Sequence, residues 1–203
     1  INNVMETAGL LRYLAKSSTP TLLASTSEVY GVGHGRPFQE TDDSVYGPTT
    51  VARWSYAHSK AVDEHLAFAL EQELPSVVIR FFNTVGPRQR GDWGMVLPRF
   101  VQAALTNAPI EVHGDGNQKR CFADVRDIVD SLPRLLRSPD ARGLPVNLGH
   151  DESITILQLA ELVRDVLNSE SSIQVLPYTE VWGRGFQDLQ ERIPDLARAR
   201  NLV

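Results

Sequence analysis

Residues 76–83 read SVVIRFFN, a mostly apolar run stopped on one side by Pro75 and on the other by the polar stretch TVGPRQRGDWG (84–94), which reads as a loop. So short a run, rich in Val, Ile and Phe, predicts a strand buried on both faces, as inside a parallel sheet. Just upstream, residues 54–73 recur with a helical period that places Val62, Leu66, Ala69 and Leu70 on one side, and Pro75 ends them. Further upstream, TLLAS (21–25) is a second short apolar strand, separated from that helix by a loop over 31–50 rich in Gly, Pro, Asp and Thr. Strand, helix, strand in this order is the pattern of a parallel α/β fold.

The same reading extends outward. Val4, Ala8, Leu11 and Ala15 predict a helix over 1–16, and Leu97–Thr106 a second with Pro98 in its first turn. IEVHG, a DGNQ turn and RCFADV (110–125) read as extended segments around a tight turn. Asp127–Leu136 is helical, with Pro133 expected to kink it or to mark its first turn. LPVNLG (144–149) and IQVLPY (173–178) are strands. Between them Thr155–Asn168 is an amphipathic helix with a stripe of Ile156, Leu159, Leu162, Val163 and Val166. The Pro-Asp pair in RIPDLARARNLV (192–203) starts a last helix, and no internal repeat is visible.

Composition narrows the function classes. The 203 residues, 42% apolar and 22% charged, are ample for a core. Twenty Lys and Arg against 25 Asp and Glu leave a net charge of −5 without a dense basic run, which argues against sequence-independent nucleic-acid binding. No apolar stretch approaches the ~20 residues of a membrane span, and no basic-then-apolar leader is seen, so neither membrane nor secretion is expected. Cys121 is the one cysteine, which excludes an internal disulfide and suits a reducing, cytoplasmic setting.

Three motifs carry chemistry. In Tyr56-Ala-His-Ser-Lys60 the two outer residues share a helix face, and an ammonium near a phenol favours the phenolate, a usable acid or base for a sugar hydroxyl. Directly after TLLA come Ser25-Thr26-Ser27-Glu28, at the carboxyl end of a strand, where reactive groups of parallel sheets gather. There Thr26 is placed to donate to the oxygen that Tyr56 deprotonates, and Glu28 to act as a second acid or base. The third motif, Arg80 to Arg88, again leaves a strand's carboxyl end.

ASTSEVYG (24–31), YAHSK (56–60) and RFFNTVGPR (80–88), in this order and spacing, resemble the extended short-chain dehydrogenase/reductase superfamily and, within it, the NAD-dependent nucleotide-sugar epimerase/dehydratase family. HGDGNQKRCFADVRDIVD (113–130), PVNLG (145–149), ESITILQLAELV (152–163) and RIPDLARAR (192–200) extend the likeness over nearly the whole chain. The resemblance implies the later half of a Rossmann-type parallel sheet, residues 1–85 and 121–149, interleaved with a smaller C-terminal substrate domain, 86–120 and 150–203. It implies NAD as cofactor, a UDP-linked nucleoside-diphosphate sugar as substrate, and chemistry through a 4-keto sugar. Thr26, Tyr56 and Lys60 match the family's catalytic positions, with Glu28 beside them. Lys60, Tyr56, Ser25 and Phe82 match positions toward NAD; Ser27, Asn83, Arg88, Arg120 and Arg192 match positions toward the nucleotide sugar. Arg120 and Arg192 match diphosphate contacts, for which a planar guanidinium fork is suited.

The branch is read from Ser27-Glu28. Dehydratases of the family carry Asp then Glu after the catalytic Thr, so Ser27 argues against that branch. Thr-Ser-Glu-Val-Tyr-Gly, PTTVARWSYAHSK and NQKRCFADVRD are similar to UDP-glucuronate decarboxylases. GPTTVARWSYAHSK, FNTVGPRQRGDWGMVLPRF and FQDLQERIPDL are similar to chains described as nucleoside-diphosphate-sugar epimerases. The balance favours a UDP-glucose 4-epimerase type of enzyme, with the decarboxylase as first alternative and a non-catalytic module of the same fold as second. The family's usual dimer, a four-helix bundle, maps onto residues 3–16 and 55–73, with Ala8, Leu11 and Leu66 as the expected seam of a homodimer. The glycine turn that receives the NAD pyrophosphate is not among these residues, so the 203 residues alone are expected not to hold NAD.

Overall fold

The structure, a computed structural model, describes residues 2–33, 35–91, 95–181 and 189–203. The end of the expected 84–94 loop and residues 186–188 of the FQDLQ segment lie outside the described residues. In chain order the elements are α1 (Asn2–Ala15), β1 (Thr21–Thr26), α2 (Trp54–Ala69), β2 (Ser76–Phe81), β3 (Thr84–Val85), α3 (Val96–Leu105), β4 (Ile110–His113), β5 (Lys119–Cys121) and β6 (Ala123–Asp124). They continue with α4 (Val125–Arg137), β7 (Pro145–Leu148), β8 (Ser153–Thr155), α5 (Ile156–Val166), β9 (Ile173–Leu176), α6 (Tyr178–Val181), β10 (Glu191–Arg192) and α7 (Ala197–Leu202).

The apolar run at 76–81 forms the central strand. It pairs in parallel with β1, Thr21 opposite Ser76 through Thr26 opposite Phe81, and with β7, Val78 opposite Pro145 through Phe81 opposite Leu148. Its alternate side chains feed two layers. Val77 and Ile79 join Val146, Leu148, Ile128 and Leu135 of α4, and Ala199 of α7. Val78 turns the other way, with Leu23, toward Leu11 and Ala15 of α1 and Ala67 of α2. Each such fully buried aliphatic side chain is worth roughly 1.5–3 kcal/mol, which is why the strand reads as a solid apolar run rather than an alternating one. A second core stands beside this sandwich: Phe100 and Ala104 of α3 and Ile156, Leu159, Ala160 and Val163 of α5 cover Ile110 and Val112 of β4, which pairs in parallel with β9. α7, at the end of the 150–203 stretch, packs on β7 rather than on this second core.

Several local expectations are corrected. α2 ends at Ala69, and Leu70–Leu74 continue as turns. Its buried face is Trp54, Ala57, Asp63, Glu64 and Ala67, while Val62 and Ala69 are exposed, because small alanines let the helix approach the sheet and its two acids have cationic partners in Lys60 and Arg80. In α5 Ala160 replaces Leu162 and Val166 in the buried stripe, and those two face outward. The helix is set by a capping box between Thr155 and Gln158. Residues 110–125 are extended as expected, yet they form no hairpin: the turn at Gly114 and Gly116, both at positive φ, sends the chain to other partners. β5 lies antiparallel to β8 and parallel to β10, and β6 pairs with β3. α4 begins at Val125, capped by the Asp124 carboxylate, and runs on through Pro133, which is not in its first turn.

Candidate active site

The carboxyl ends of β1 and β2 open onto a cleft of about 870 Å³, faced from the other side by α3, β4, β5 and β10. That volume suits a nucleotide-sized ligand. Ser25, Thr26, Ser27, Glu28, Tyr56, Lys60, Phe82, Asn83, Arg120 and Arg192 all line it. Arg88 does not: it stands exposed on the turn after β3 with φ 69°.

The floor is built from a buried network. Ser25 Oγ donates to Glu64 Oε1, and Glu64 takes Arg80 through Nε and Nη2, the latter at 2.7 Å. The Arg80 guanidinium lies 4.7 Å from the centre of the Tyr30 ring. Tyr30 Oη donates to Asn147 Oδ1 at 2.6 Å, and burial pushes this phenol up to about 12. Glu64 belongs to α2, Arg80 to β2 and Asn147 to β7, so the network fixes the strand end that presents Thr26. Thr26 Oγ1 accepts from the Glu28 amide at 3.2 Å, capping the 3₁₀ turn Ser27–Tyr30.

Tyr56 is about half exposed on the cleft wall. Lys60, one helical turn on, shares its face, as the spacing requires. Its ammonium donates to Ala24 O at 3.0 Å and to Asp63 Oδ2 at 3.2 Å. Asp63 is fully buried, and its other oxygen has no hydrogen-bond partner among the described residues. The lysine's charge is thus partly matched by an acid that the motif did not reveal.

Across the cleft the two expected diphosphate arginines are register partners: β10 pairs with β5 so that Arg192 stands opposite Arg120. Both are largely buried, and Arg192 Nε has no hydrogen-bond partner among the described residues. Arg192 Nη2 donates to Glu28 Oε1, while Arg53 Nη2 lies 3.5 Å from Glu28 Oε2. Asn83 Nδ2 donates to Cys121 O at 3.0 Å, tying the end of β2 to β5. Further along the wall Arg99 Nη2 donates to His113 Nε2 at 3.0 Å. That bond needs an unprotonated nitrogen, and burial together with the Arg99 charge lowers the His113 pKa accordingly. Among the described lining residues Arg53, Lys60, Arg99, Arg120 and Arg192 oppose Glu28 and Glu111, a basic cleft in a chain of net charge −5. Such a contrast concentrates anionic ligands.

Sequence reasoning missed Asp63, Glu64, Arg53 and the Arg99–His113 pair. No signal for the two acids lay in the sequence, since the face read from large apolar residues was not the one that touches the sheet. Arg53 and Arg99 carried none beyond lying near a motif.

A model of the NAD dependent epimerase/dehydratase family matches residues 1–149, and the chain belongs to that family. It is 37% identical over 199 residues to a UDP-N-acetyl-alpha-D-glucosaminuronate decarboxylase of Bacillus cytotoxicus, covering 97% of this chain and 61% of that protein. It is 36% identical over 203 residues to UDP-glucuronic acid decarboxylase 1 of Danio rerio, covering 99% and 46%. The fold matches that of UDP-N-acetylglucosamine 4-epimerase from Methanobrevibacter ruminantium M1, solved in complex with UDP-N-acetylmuramic acid. The TM-score is 0.86 at 25% identity, covering 99% of this chain and 62% of that one. The chain thus spans roughly half to three fifths of the length of the curated relatives it matches. The sheet is of the expected Rossmann type.

Proposed function

We propose that this chain carries the catalytic and substrate-binding part of an NAD-dependent enzyme acting on a UDP-linked sugar through a 4-keto intermediate, with loss of a C5 carboxylate as the outcome. The observation that carries it is the pairing of Arg120 with Arg192 opposite Thr26, Tyr56 and Lys60 across one cleft: two guanidiniums in register for a diphosphate, facing an acid/base set for a sugar hydroxyl. Decarboxylation is supported by Glu28 beside Tyr56's helix, by Ser27 in place of a dehydratase aspartate, and by relatives named as decarboxylases. The sequence favoured epimerisation. It stands as the second reading, favoured by the likeness to a 4-epimerase fold.

The residues present fit one end of NAD. Tyr56, Lys60 and Phe82 meet at the strand ends, and Lys60 is anchored by Ala24 O at the side where a ribose would approach. When bound, NAD supplies the hydride acceptor for the sugar's C4. Tyr56 takes the C4 hydroxyl proton, Thr26 Oγ orients that oxygen, and Lys60 holds positive charge near the phenol as the proton moves. Arg120 and Arg192 hold the diphosphate so that the sugar reaches Tyr56 in one pose. A carboxylate on C5 then forms a β-keto acid with the C4 ketone, from which carbon dioxide leaves without further oxidation; a proton takes its place at C5, and return of the hydride to C4 gives the UDP-pentose.

The full-length enzyme with NAD, given UDP-glucuronate, UDP-glucose and UDP-N-acetylglucosamine separately, tests this. We expect carbon dioxide and a UDP-pentose from the uronate. A C4-inverted hexose without carbon dioxide would establish the second reading, and no turnover of any of them would remove both. Assembly as a homodimer through α1 and α2 belongs to the same proposal. Met5, Leu10, Tyr13 and Val62 are exposed on these helices, whereas Leu11 of the expected seam is spent in the chain's own core. Light scattering of the full-length protein checks it; a monomer would refute it.

A further inference from the structure

Two consecutive acids of α2, Asp63 and Glu64, are buried, and their surroundings treat them differently. Glu64 has a partner at each oxygen: Ser25 Oγ and Arg80 Nε donate to Oε1, and Arg80 Nη2 donates to Oε2. Asp63 is the more deeply enclosed, at 0% exposure, yet only its Oδ2 is engaged, by Lys60 Nζ at 3.2 Å. Its Oδ1 has no hydrogen-bond partner among the described residues. A carboxylate oxygen left bare inside a fold costs stability, and an apolar side chain of similar size would avoid that cost. Buried polar groups are nearly always paired, and those that break local rules gather at functional sites.

What Asp63 holds is Lys60. A lysine ammonium ends a flexible four-carbon stem, and a single acceptor leaves it free to swing. Here it has two acceptors on different elements: Ala24 O of β1 at 3.0 Å, and Asp63 Oδ2 of its own helix, three residues on. Two of the three ammonium hydrogens are thereby committed, and one is left for the cleft that Lys60 lines. Ala24 comes two residues before Thr26, and Lys60 one turn after Tyr56. The same clamp therefore ties the strand end that carries one hydroxyl to the helix that carries the other. The two ends of the ion pair are unequal: Lys60 is 16% exposed and can turn to the water of the cleft, whereas Asp63 is sealed. Removing Asp63 strands no charge in the interior, so the fold gains little from keeping it.

We propose that Asp63 is a positioning residue, whose carboxylate fixes the Lys60 ammonium against Ala24 O so that its remaining hydrogen meets the reacting centre beside Tyr56 in one orientation. This rests on the reading of the cleft as a nucleotide-sugar site in which Lys60 supports Tyr56. Asp63 touches no reactant and acts through the lysine alone. Its loss falls on turnover, and it leaves in place the binding of the nucleotide sugar, which that reading assigns to Arg120 and Arg192 across the cleft.

Steady-state kinetics and thermal melting of the full-length protein test it, in wild type, Asp63→Asn and Asp63→Ala. The assay uses NAD with UDP-glucuronate, or with UDP-glucose if that is the sugar nucleotide turned over. Asp63→Ala, which offers no acceptor, should lower kcat by about tenfold to a hundredfold. Asp63→Asn keeps an acceptor oxygen without the charge and should recover part of that loss, to about threefold to tenfold below wild type. KM for the sugar nucleotide should stay within about threefold in both variants. The nearly isosteric Asp63→Asn should melt at or above the wild-type temperature. A kcat within about twofold of wild type in Asp63→Ala, or in Asp63→Asn should Asp63→Ala fail to fold, overturns the proposal. So does an Asp63→Asn that melts well below wild type, or a KM that rises as far as kcat falls, since either is the mark of a merely structural role. Each of these leaves the nucleotide-sugar reading intact. A wild type that turns over neither UDP-glucuronate nor UDP-glucose overturns that reading, and this proposal with it.

Discussion

Asp63 and Tyr30 are the two residues whose burial sets the sharpest tests. Asp63 is fully enclosed with Lys60 as its ion-pair partner, so removing the lysine strands a charge inside the fold. Lys60→Met should therefore lose turnover and also about 3 kcal/mol of stability, since breaking a buried pair from one side is strongly destabilising. Adding Asp63→Asn should return most of the stability and none of the turnover, which denaturant titration and kinetics together will read. Tyr56→Phe, by contrast, should cost ~10²–10⁴ in turnover while the melting temperature stays put, because the ring is half exposed. Tyr30 gives a pH dependence. Its phenol is raised from 10.0 to about 12 by burial, so the fold prefers the protonated form. That contribution is complete below pH 10 and is lost as pH rises through about 12. Tyr30→Phe should flatten this alkaline fall, at a cost of about 1–3 kcal/mol near neutrality from leaving Asn147 Oδ1 without its donor.

At the level of elements, β5 and β10 are short strands whose whole value lies in their register. Placing Arg120 opposite Arg192 sets two guanidinium forks at neighbouring positions, which the proposed function assigns to a diphosphate. Arg120→Ala and Arg192→Ala should each weaken UDP binding by roughly tenfold to a hundredfold, as expected for charged hydrogen bonds, measured by calorimetry in the full-length protein. This pairing was not legible locally. Two residues carry no period, and strands joined across seventy positions are chosen by the packing around them. β2 was legible because its burial on both faces writes the answer into every residue. α2 was legible as a helix and misread as to face: counting large apolar side chains passes over alanines, and no count shows that Glu64 is buried against Arg80, sixteen positions on. The same bias hid Ala160 in α5. Family resemblance named candidate residues that the fold gathers at the strand ends of one cleft, Arg88 excepted, because strand ends present them in a fixed order. Arg53 and Asp63 fall outside that order and depend on what lies across from them.

For the molecule as a whole, two cores flank the cleft, one sandwiching the parallel sheet and one between α3 and α5. Glu28 and Arg192 bridge the gap between its walls. Substrate phosphates that engage Arg192 compete with Glu28 for it, so a Glu28→Gln variant should bind UDP more tightly even as it loses turnover, which titration and kinetics will separate. The buried network beneath Thr26 has a further consequence, in the time domain. Ser25, Glu64, Arg80, Tyr30 and Asn147 lock β1, α2, β2 and β7 together, whereas the arginine wall stands on strands of two and three residues. Amide protons of β2 should therefore exchange with deuterium only through global opening, and those of β5 and β10 through local opening. A nucleotide will slow exchange on the wall and leave the floor unchanged. On the proposed function, the hydroxyls of Thr26 and Tyr56 would then keep their spacing from one turnover to the next, with the fluctuations that admit substrate and release product confined to the arginine wall.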